Sequence, residues 1–213
     1  MVQVAPSMLS ADFLELGKDI SMVNSHADIF HLDIMDGVFV PNISYGFPIV
    51  EAIASKAEKP LDVHLMIVNP EKYAARFVEA GADMVSFHID ASADPVSLAE
   101  EIRQRGAKAG LVINPDIPVE RLYPYIGHCD YFMLMSVFAG FGGQKFIDST
   151  YGRIRALKAE LSARGSDVTI EVDGGVGPSN AAALAEAGAE ILVAGSSIFR
   201  SPDPIETIRM IRG

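Results

Sequence analysis

Cysteine, tryptophan and long apolar runs are scarce or absent in this sequence. Its 213 residues include one cysteine and no tryptophan, and no apolar run is long. The single cysteine, Cys129, excludes an intramolecular disulfide framework and fits a reducing compartment. No uninterrupted apolar stretch approaches the length that spans a bilayer. Met1–Ser7 also lacks the cationic and then apolar order of a signal peptide. We therefore expect a cytoplasmic protein with no membrane partner.

Cationic residues are scarce as well. The sequence has 17 Lys and Arg against 28 Asp and Glu, which gives a net charge of −11. This charge disfavours nucleic acid as a partner, and an anionic substrate would have to be held by local backbone amides. The length and the lack of a linker-like segment predict one domain over residues 1–213.

Short β-rich runs alternate with amphipathic stretches from end to end. The expected strands are Gln3–Pro6, Ile29–Met35, Leu61–Met66, Met84–His88, Ala109–Ile113, Tyr131–Val137, Thr169–Asp173 and Ile191–Ala194. The expected helices are Asp12–Ser25, Phe47–Lys56, Glu71–Ala80, Pro95–Gly106, Val119–Ile126, Ser149–Arg164, Pro178–Ala187 and Asp203–Arg212. Because the strands are almost continuously apolar, they fit a parallel sheet that is buried on both faces.

Three helix ends look alike, and each precedes a strand: His26–Asp28, Ala80–Asp83 and Ala187–Glu190. This recurrence indicates repeated helix-to-strand units, and eight of them predict an α/β fold, a single (β/α)8 TIM barrel. A doubly wound open sheet is the alternative. It does not by itself explain why polar residues end strands spread from the second to the seventh, whereas a barrel gathers all strand ends around one mouth.

Four of these polar residues form the first candidate site. His31 and Asp33 share one face of the second strand, His64 lies on the third, and Asp173 ends the seventh. Two imidazoles and two carboxylates suit one divalent transition metal such as zinc, iron, manganese or cobalt. The alternative is a set of hydrogen-bonded core residues, which fits one isolated histidine better than four polar residues on matching faces.

Asp33 and Asp173 are also a candidate acid/base pair. They approach the mouth from different strands, so a substrate between them would meet one carboxylate on each face. This arrangement suits removal of a proton from one side of a carbon and its return from the other, with a nearby metal stabilising the enediolate. Two metal ligands and a nucleophilic water, as in a hydrolase, remain an alternative.

Glycine-rich loops follow the last three strands. Glycine lets backbone N–H groups approach an anion closely, and barrel enzymes often bind phosphate at this place. Each loop alone could be a tight turn, but together they predict a small phosphorylated substrate. The loop residues are Gly140, Phe141, Gly142, Gly143, Gly174, Gly175, Gly195 and Ser196.

Other residues near the mouth carry weaker indications. Ser7 could hydrogen-bond a substrate hydroxyl, and Met35 could line an apolar wall beside the reacting carbon. Asp36 could orient a ligand or cap a turn. His88, at the end of the fourth strand, fits a structural histidine better than a ligand.

Seven motifs together resemble the ribulose-phosphate 3-epimerase family over essentially the whole chain: Pro6–Phe13, His31–Gly37, Phe39–Asn42, Asp62–Met66, Gly140–Phe146, Val172–Val176 and Ala194–Ser196. The resemblance implies a TIM-barrel isomerase of the pentose phosphate pathway that interconverts D-ribulose 5-phosphate and D-xylulose 5-phosphate. It implies a homo-oligomer, a dimer or a hexamer. It also implies that His31, Asp33, His64 and Asp173 bind the metal and that Asp33 and Asp173 are catalytic.

By the same resemblance, a set of residues from several strand ends contacts the phosphorylated ketose: Ser7, Met35, His64, Gly140, Phe141, Gly142, Gly143, Asp173, Gly174, Gly175, Gly195 and Ser196. The chain departs from the family pattern at Phe138-Ala139, Val38 and Asp90. These departures leave a D-allulose 6-phosphate 3-epimerase as an alternative.

Two other function classes are weaker. A phosphate-binding barrel lyase would carry a lysine where this chain has Met35. A non-catalytic sugar-phosphate sensor would not need both carboxylates and both imidazoles.

Overall fold

Eight parallel strands form the barrel in a computed structural model that describes residues 1–213. The strands pair in the order β1-β8-β7-β6-β5-β4-β3-β2. A parallel bridge between Ser7 and His31 joins the first strand to the second and closes the ring. The (β/α)8 fold is therefore confirmed, and the open-sheet alternative is wrong. The strands are β1 (Gln3–Pro6), β2 (Phe30–Met35), β3 (Leu61–Met66), β4 (Met84–His88), β5 (Lys108–Ile113), β6 (Tyr131–Met135), β7 (Thr169–Asp173) and β8 (Ile191–Ala194).

Helices pack around the strands, and their ends differ from the predictions more than the strand ends do. They are α1 (Leu16–His26), α2 (Phe47–Ala54), α3 (Ala74–Glu79), α4 (Pro95–Gln104), α5 (Thr150–Ala163), α6 (Ala181–Ala187), α7 (Ser196–Phe199) and α8 (Pro204–Arg212), with 3-10 turns at Met8–Ser10 and Pro70–Lys72. None has both the length and the apolar character needed to cross a bilayer.

The predicted α-helix Val119–Ile126 is wrong in type, because the structure has a 3-10 helix at Val119–Tyr125. Pro124 lies inside it and lacks the N–H that an α-helical turn requires. The short helix α7 was not predicted, since four residues carry no detectable helical period.

Alternation along each strand separates the outer core from the barrel interior. Leu32, Val63 and Val172 belong to the large apolar core that also contains helix residues. Inside the barrel, an apolar plug near the amino ends of the strands includes Ile29 and Met84. Polar side chains lie above this plug, followed by methionines nearer the mouth. The register pairs these layers directly: His31 with Asp62, Asp33 with His64, and Met35 with Met66.

The recurring acidic residues before strands have a structural role. A carboxylate that precedes each even-numbered strand accepts a hydrogen bond from a backbone N–H of the preceding odd-numbered strand. The four bonds are Val4 N to Asp28 at 2.8 Å, Leu61 N to Asp83 at 2.8 Å, Ala109 N to Asp130 at 2.9 Å and Ile170 N to Glu190 at 3.1 Å. Pairs of neighbouring strands are thereby tied at the amino end of the barrel, away from the predicted site.

Removing one of these carboxylates should weaken the barrel without affecting the mouth. We expect Asp83→Ala to lower the free energy of unfolding by about 1 kcal/mol, because it removes the acceptor for the N–H of Leu61. Urea denaturation measures the change, and Asp83→Asn, which keeps a carbonyl acceptor, is the matched control. An Asn variant as unstable as the Ala variant would contradict this role.

Candidate metal and acid/base centre

Four donor atoms from three strands converge at the carboxyl end of the barrel. His31 Nε2 lies 3.3 Å from Asp33 Oδ1, and His64 Nδ1 lies 3.2 Å from the same oxygen. Asp173 Oδ2 lies 3.8 Å from His64 Nδ1. One ligand atom from each of the four residues falls within 4.8 Å of all the others. The structure thus brings together the four residues that the sequence analysis proposed as metal ligands.

The donor set fits a divalent transition metal. His31 Nε2 is a buried nitrogen without a hydrogen-bond partner, and the carboxylate oxygen nearest to it, Asp33 Oδ1, is already approached by His64 Nδ1. Such a nitrogen is costly to bury unless another group occupies its lone pair. Two nitrogens and two carboxylate oxygens are the mixed set that zinc, iron, manganese and cobalt accept.

A buried polar layer lies directly below these donors and holds His31. The Nδ1 of His31 lies 2.6 Å from Asp62 Oδ2, while the hydroxyl of Tyr131 donates to Asp62 Oδ1 at 2.8 Å. Gly110 makes this possible, because a Cβ at that position would overlap the ring of Tyr131. With Nδ1–H donated to Asp62, the lone pair of His31 is directed from Nε2 towards the four-residue cluster.

Glu171 completes the lower layer. Its Oε1 lies 3.5 Å from His31 Nδ1, and neither of its oxygens has a hydrogen-bond partner. Complete burial, and next the charge of Asp62, raise the pKa of Glu171 well above its usual value. The neutral acid is therefore the favoured form, which limits the negative charge below the site.

The two carboxylates of the proposed acid/base pair have different environments. Burial opposes ionisation of Asp33, but the charge of His31, together with the hydrogen bond and charge of His64, outweighs it and holds the pKa of Asp33 well below its usual value. Ser7 Oγ also donates to Asp33 Oδ2 at 2.6 Å. For Asp173, burial and then the charge of Asp33 raise the pKa to about 6. In the metal-free site, one carboxylate thus holds protons much more readily than the other.

A pocket opens above the donors. It is lined by residues of the loops that follow β1, β6, β7 and β8, together with Met35, Met66 and Met135. All the residues that the sequence analysis proposed for substrate binding line it except His64, which is completely buried beneath. Within the glycine-rich loop after β6, the side-chain amide of Gln144 donates to the backbone carbonyls of Phe138 and Phe141. The side chain of Asn42, in the loop after β2, donates to the carbonyl of Gly140.

Close packing explains why glycine is needed in this wall. Gly175 has a φ of +64°, and a Cβ there would lie 2.6 Å from the backbone nitrogen of Phe146. The loop after β7 therefore lies directly against the segment after β6. Gly195 is similarly close to Ser10, since its Cβ would lie 2.7 Å from Ser10 Oγ. The loops after β1, β6, β7 and β8 thus form one continuous wall of the pocket.

Sequence reasoning missed part of the arrangement. The sequence places Asp62 two residues before His64 on the same face of β3, but it does not show that Asp62 is the residue that holds His31. No sequence pattern indicates the role of Tyr131, because its hydrogen-bond partner Asp62 lies 69 residues away along the chain. Asp36 caps the loop after β2: it accepts hydrogen bonds from the backbone N–H groups of Val38, Phe39 and Val68.

Comparisons with known proteins agree with this geometry. The profile of the ribulose-phosphate 3 epimerase family matches residues 3–199. Ribulose-phosphate 3-epimerase of Synechocystis sp. is 48% identical over 99% of this chain and 93% of its own length. The protein of the same name from Bacillus subtilis is 46% identical, over 100% of this chain and 99% of its own.

Solved structures support the fold. 3-Hexulose-6-phosphate synthase from Salmonella typhimurium superposes with a TM-score of 0.72 at 16% identity, and the match covers 98% of this chain and 96% of that one. At that identity the likeness concerns the barrel alone. The family match and the two relatives carry the assignment: the chain belongs to the ribulose-phosphate 3-epimerase family.

Proposed function

We propose that the chain interconverts D-ribulose 5-phosphate and D-xylulose 5-phosphate as a single catalytic domain. The observation that carries this proposal is the pair Asp33 and Asp173, two carboxylates that reach one pocket from different strands beside two imidazoles. The names of the relatives supply the substrate class, a ketopentose phosphate. The enzyme is an epimerase and hence an isomerase.

Inversion at C3 needs a base on one face of the carbon and an acid on the other. One carboxylate takes the C3 proton, and the electron pair of the broken C–H bond moves towards the neighbouring carbonyl to give an enediolate. The other carboxyl group then returns a proton to the opposite face of C3. The two side chains exchange roles when the other epimer is the substrate.

Residues around the pocket hold Asp33 in place and surround the substrate. The hydroxyl of Ser7 holds one oxygen of Asp33, which leaves the other directed at the imidazoles. Met35, Met66 and Met135 give the pocket an apolar wall that excludes water from the reacting carbon. The glycine loops after β6, β7 and β8 offer backbone N–H groups to the phosphate.

His31, Asp33, His64 and Asp173 would hold one divalent ion. We propose zinc, iron, manganese or cobalt, because two of the four donors are imidazole nitrogens. Such an ion supplies Lewis-acid polarisation of the carbonyl beside C3.

Removal of the metal should abolish turnover while the barrel stays folded. Lewis-acid polarisation contributes several kcal/mol, so we expect a loss of roughly 100-fold or more after treatment with a chelator. Re-addition of one equivalent of ion should restore activity. Circular dichroism verifies the fold, and full activity in demonstrably metal-free protein would contradict the metal's role.

Two substrates assayed in deuterated water test the proposed function. Metal-loaded protein should epimerise ribulose 5-phosphate and incorporate deuterium at C3 without loss of carbon. Allulose 6-phosphate is the comparison substrate, and a clear preference for it would replace the pentulose assignment. Release of carbon dioxide or cleavage of a C–C bond would contradict epimerisation.

A further inference from the structure

His88 lies directly behind His64 in the interior of the barrel. Both rings are completely buried or nearly so, and the two Nε2 atoms are 3.0 Å apart. The ring centroids are 5.1 Å apart with 25° between the planes. This separation equals the nitrogen–nitrogen distance plus about one ring radius on each side, so the rings meet edge to edge. The contact is a hydrogen bond between two imidazoles.

Such a bond needs an N–H on one ring and a lone pair on the other. His64 Nδ1 faces the proposed metal site, 3.2 Å from Asp33 Oδ1 and 3.8 Å from Asp173 Oδ2. Without an ion, the N–H at Nδ1 donates to Asp33. With an ion bound, Nδ1 must offer its lone pair instead. A neutral imidazole with a free lone pair on Nδ1 carries its proton on Nε2. In the metal-loaded protein His64 therefore donates from Nε2, and His88 Nε2 accepts.

We propose that His88 is a positioning residue that fixes the tautomer and ring orientation of His64 for metal binding. The inference rests on the proposed metal-dependent function. Acceptance at Nε2 requires His88 to carry its proton on Nδ1, an atom that is buried without a partner. The ring of Phe39 packs against the ring of His88, with 4.8 Å between the two centroids.

The two imidazole ligands are thus held in different ways. His31 presents Nε2 to the site because its Nδ1 donates to the carboxylate of Asp62 at 2.6 Å. His64 presents Nδ1 because its Nε2 donates to a neutral imidazole. A carboxylate as the partner of His64 would add negative charge beside Asp33 and Asp173. The neutral ring of His88 accepts the hydrogen bond from His64 without adding charge.

His88 does not belong to the ligand group itself. The four residues whose donor atoms cluster within 4.8 Å are His31, Asp33, His64 and Asp173. His88 contacts Nε2 of His64, whereas Nδ1 of His64 faces this cluster. Its effect on the metal must therefore pass through the ring of His64.

Metal affinity measured by competition with a chelator tests the proposal. Zinc should bind roughly 10–100-fold more weakly to His88→Phe, which keeps a ring but has no acceptor. His88→Gln should recover most of the affinity, because its amide oxygen reaches the position of Nε2. His128→Phe is the matched control, since His128 is a half-exposed surface residue, and it should bind zinc as the wild type does.

Nitrogen NMR on the zinc-loaded wild type tests the tautomers directly and does not depend on any variant folding. The chain has five histidines, so their ring signals can be assigned individually. We expect the proton of His64 on Nε2 and that of His88 on Nδ1. A proton on His88 Nε2, or unchanged zinc affinity in folded His88→Phe, would overturn the inference. If the wild type binds no metal and does not epimerise, the proposed function fails instead.

Discussion

Replacement of Asp173 by asparagine should lower turnover by about 10²–10⁴-fold, the usual contribution of a positioned acid or base. Asparagine has nearly the shape of aspartate and keeps an oxygen for the metal, but it neither takes nor delivers a proton. Asp173 lines the pocket, and in the metal-free site burial and then the charge of Asp33 raise its pKa to about 6. Steady-state assays in both directions measure the loss.

Two controls make this result specific. Metal content of Asp173→Asn should be determined, because the side chain is also a proposed ligand, and the assay should be run with the metal saturating. Thermal unfolding should show that the barrel remains intact. Turnover within a few-fold of the wild type, in metal-loaded and folded protein, would remove Asp173 from the acid/base pair.

Replacement of His31 by glutamine should cost both metal binding and stability. Burial disfavours the charged ring, yet the charges of Asp33 and Asp62 and the hydrogen bond to Asp62 outweigh it and raise the pKa of His31 well above its usual value. In the metal-free protein His31 is therefore the cation that compensates two buried carboxylates. Loss of one partner from such a group costs about 3–5 kcal/mol.

Urea denaturation of the metal-free proteins measures this cost, and a chelator titration measures zinc affinity. We expect zinc affinity to fall by more than the roughly 10–100-fold that loss of a ligand's partner causes, because His31 supplies a ligand atom itself. His26→Gln is the matched control, as His26 lies at the end of α1, remote from the cluster. A His31→Gln protein as stable as the wild type would contradict the electrostatic description of the lower layer.

Much of the fold could be predicted from the sequence. Five strands, among them Leu61–Met66 and Thr169–Asp173, have the predicted bounds, because buried parallel strands are apolar runs with abrupt ends. Strand β6 ends at Met135, two residues earlier than predicted, because its neighbour β7 ends at Asp173, the residue that pairs with Met135. Helix α1 begins at Leu16 rather than Asp12, whose carboxylate accepts from the N–H of Leu14 in a turn.

Within the candidate site, the sequence could predict the four proposed metal ligands but not the full set of residues that hold them in place. Period-two alternation places His31 and Asp33 on one face, and closure of the barrel brings Asp173 to them. Alternation also places Asp62 on the inner face of β3, but it does not identify Tyr131 and His88 as the residues that hold Asp62 and His64. From the sequence, His88 is predicted to be a structural histidine, because its partner His64 is 24 residues away. No local pattern indicates which side chains meet in the barrel interior.

Exchange of the C3 proton in the two single variants tests the central claim most directly. Metal-loaded Asp33→Asn and Asp173→Asn should each be incubated in deuterated water with each pure epimer. If two carboxylates act from opposite faces, each variant will exchange the C3 proton of one epimer without inverting it, and the two variants will exchange opposite epimers. Exchange of both epimers by one variant, or of the same epimer by both, would contradict the two-carboxylate mechanism.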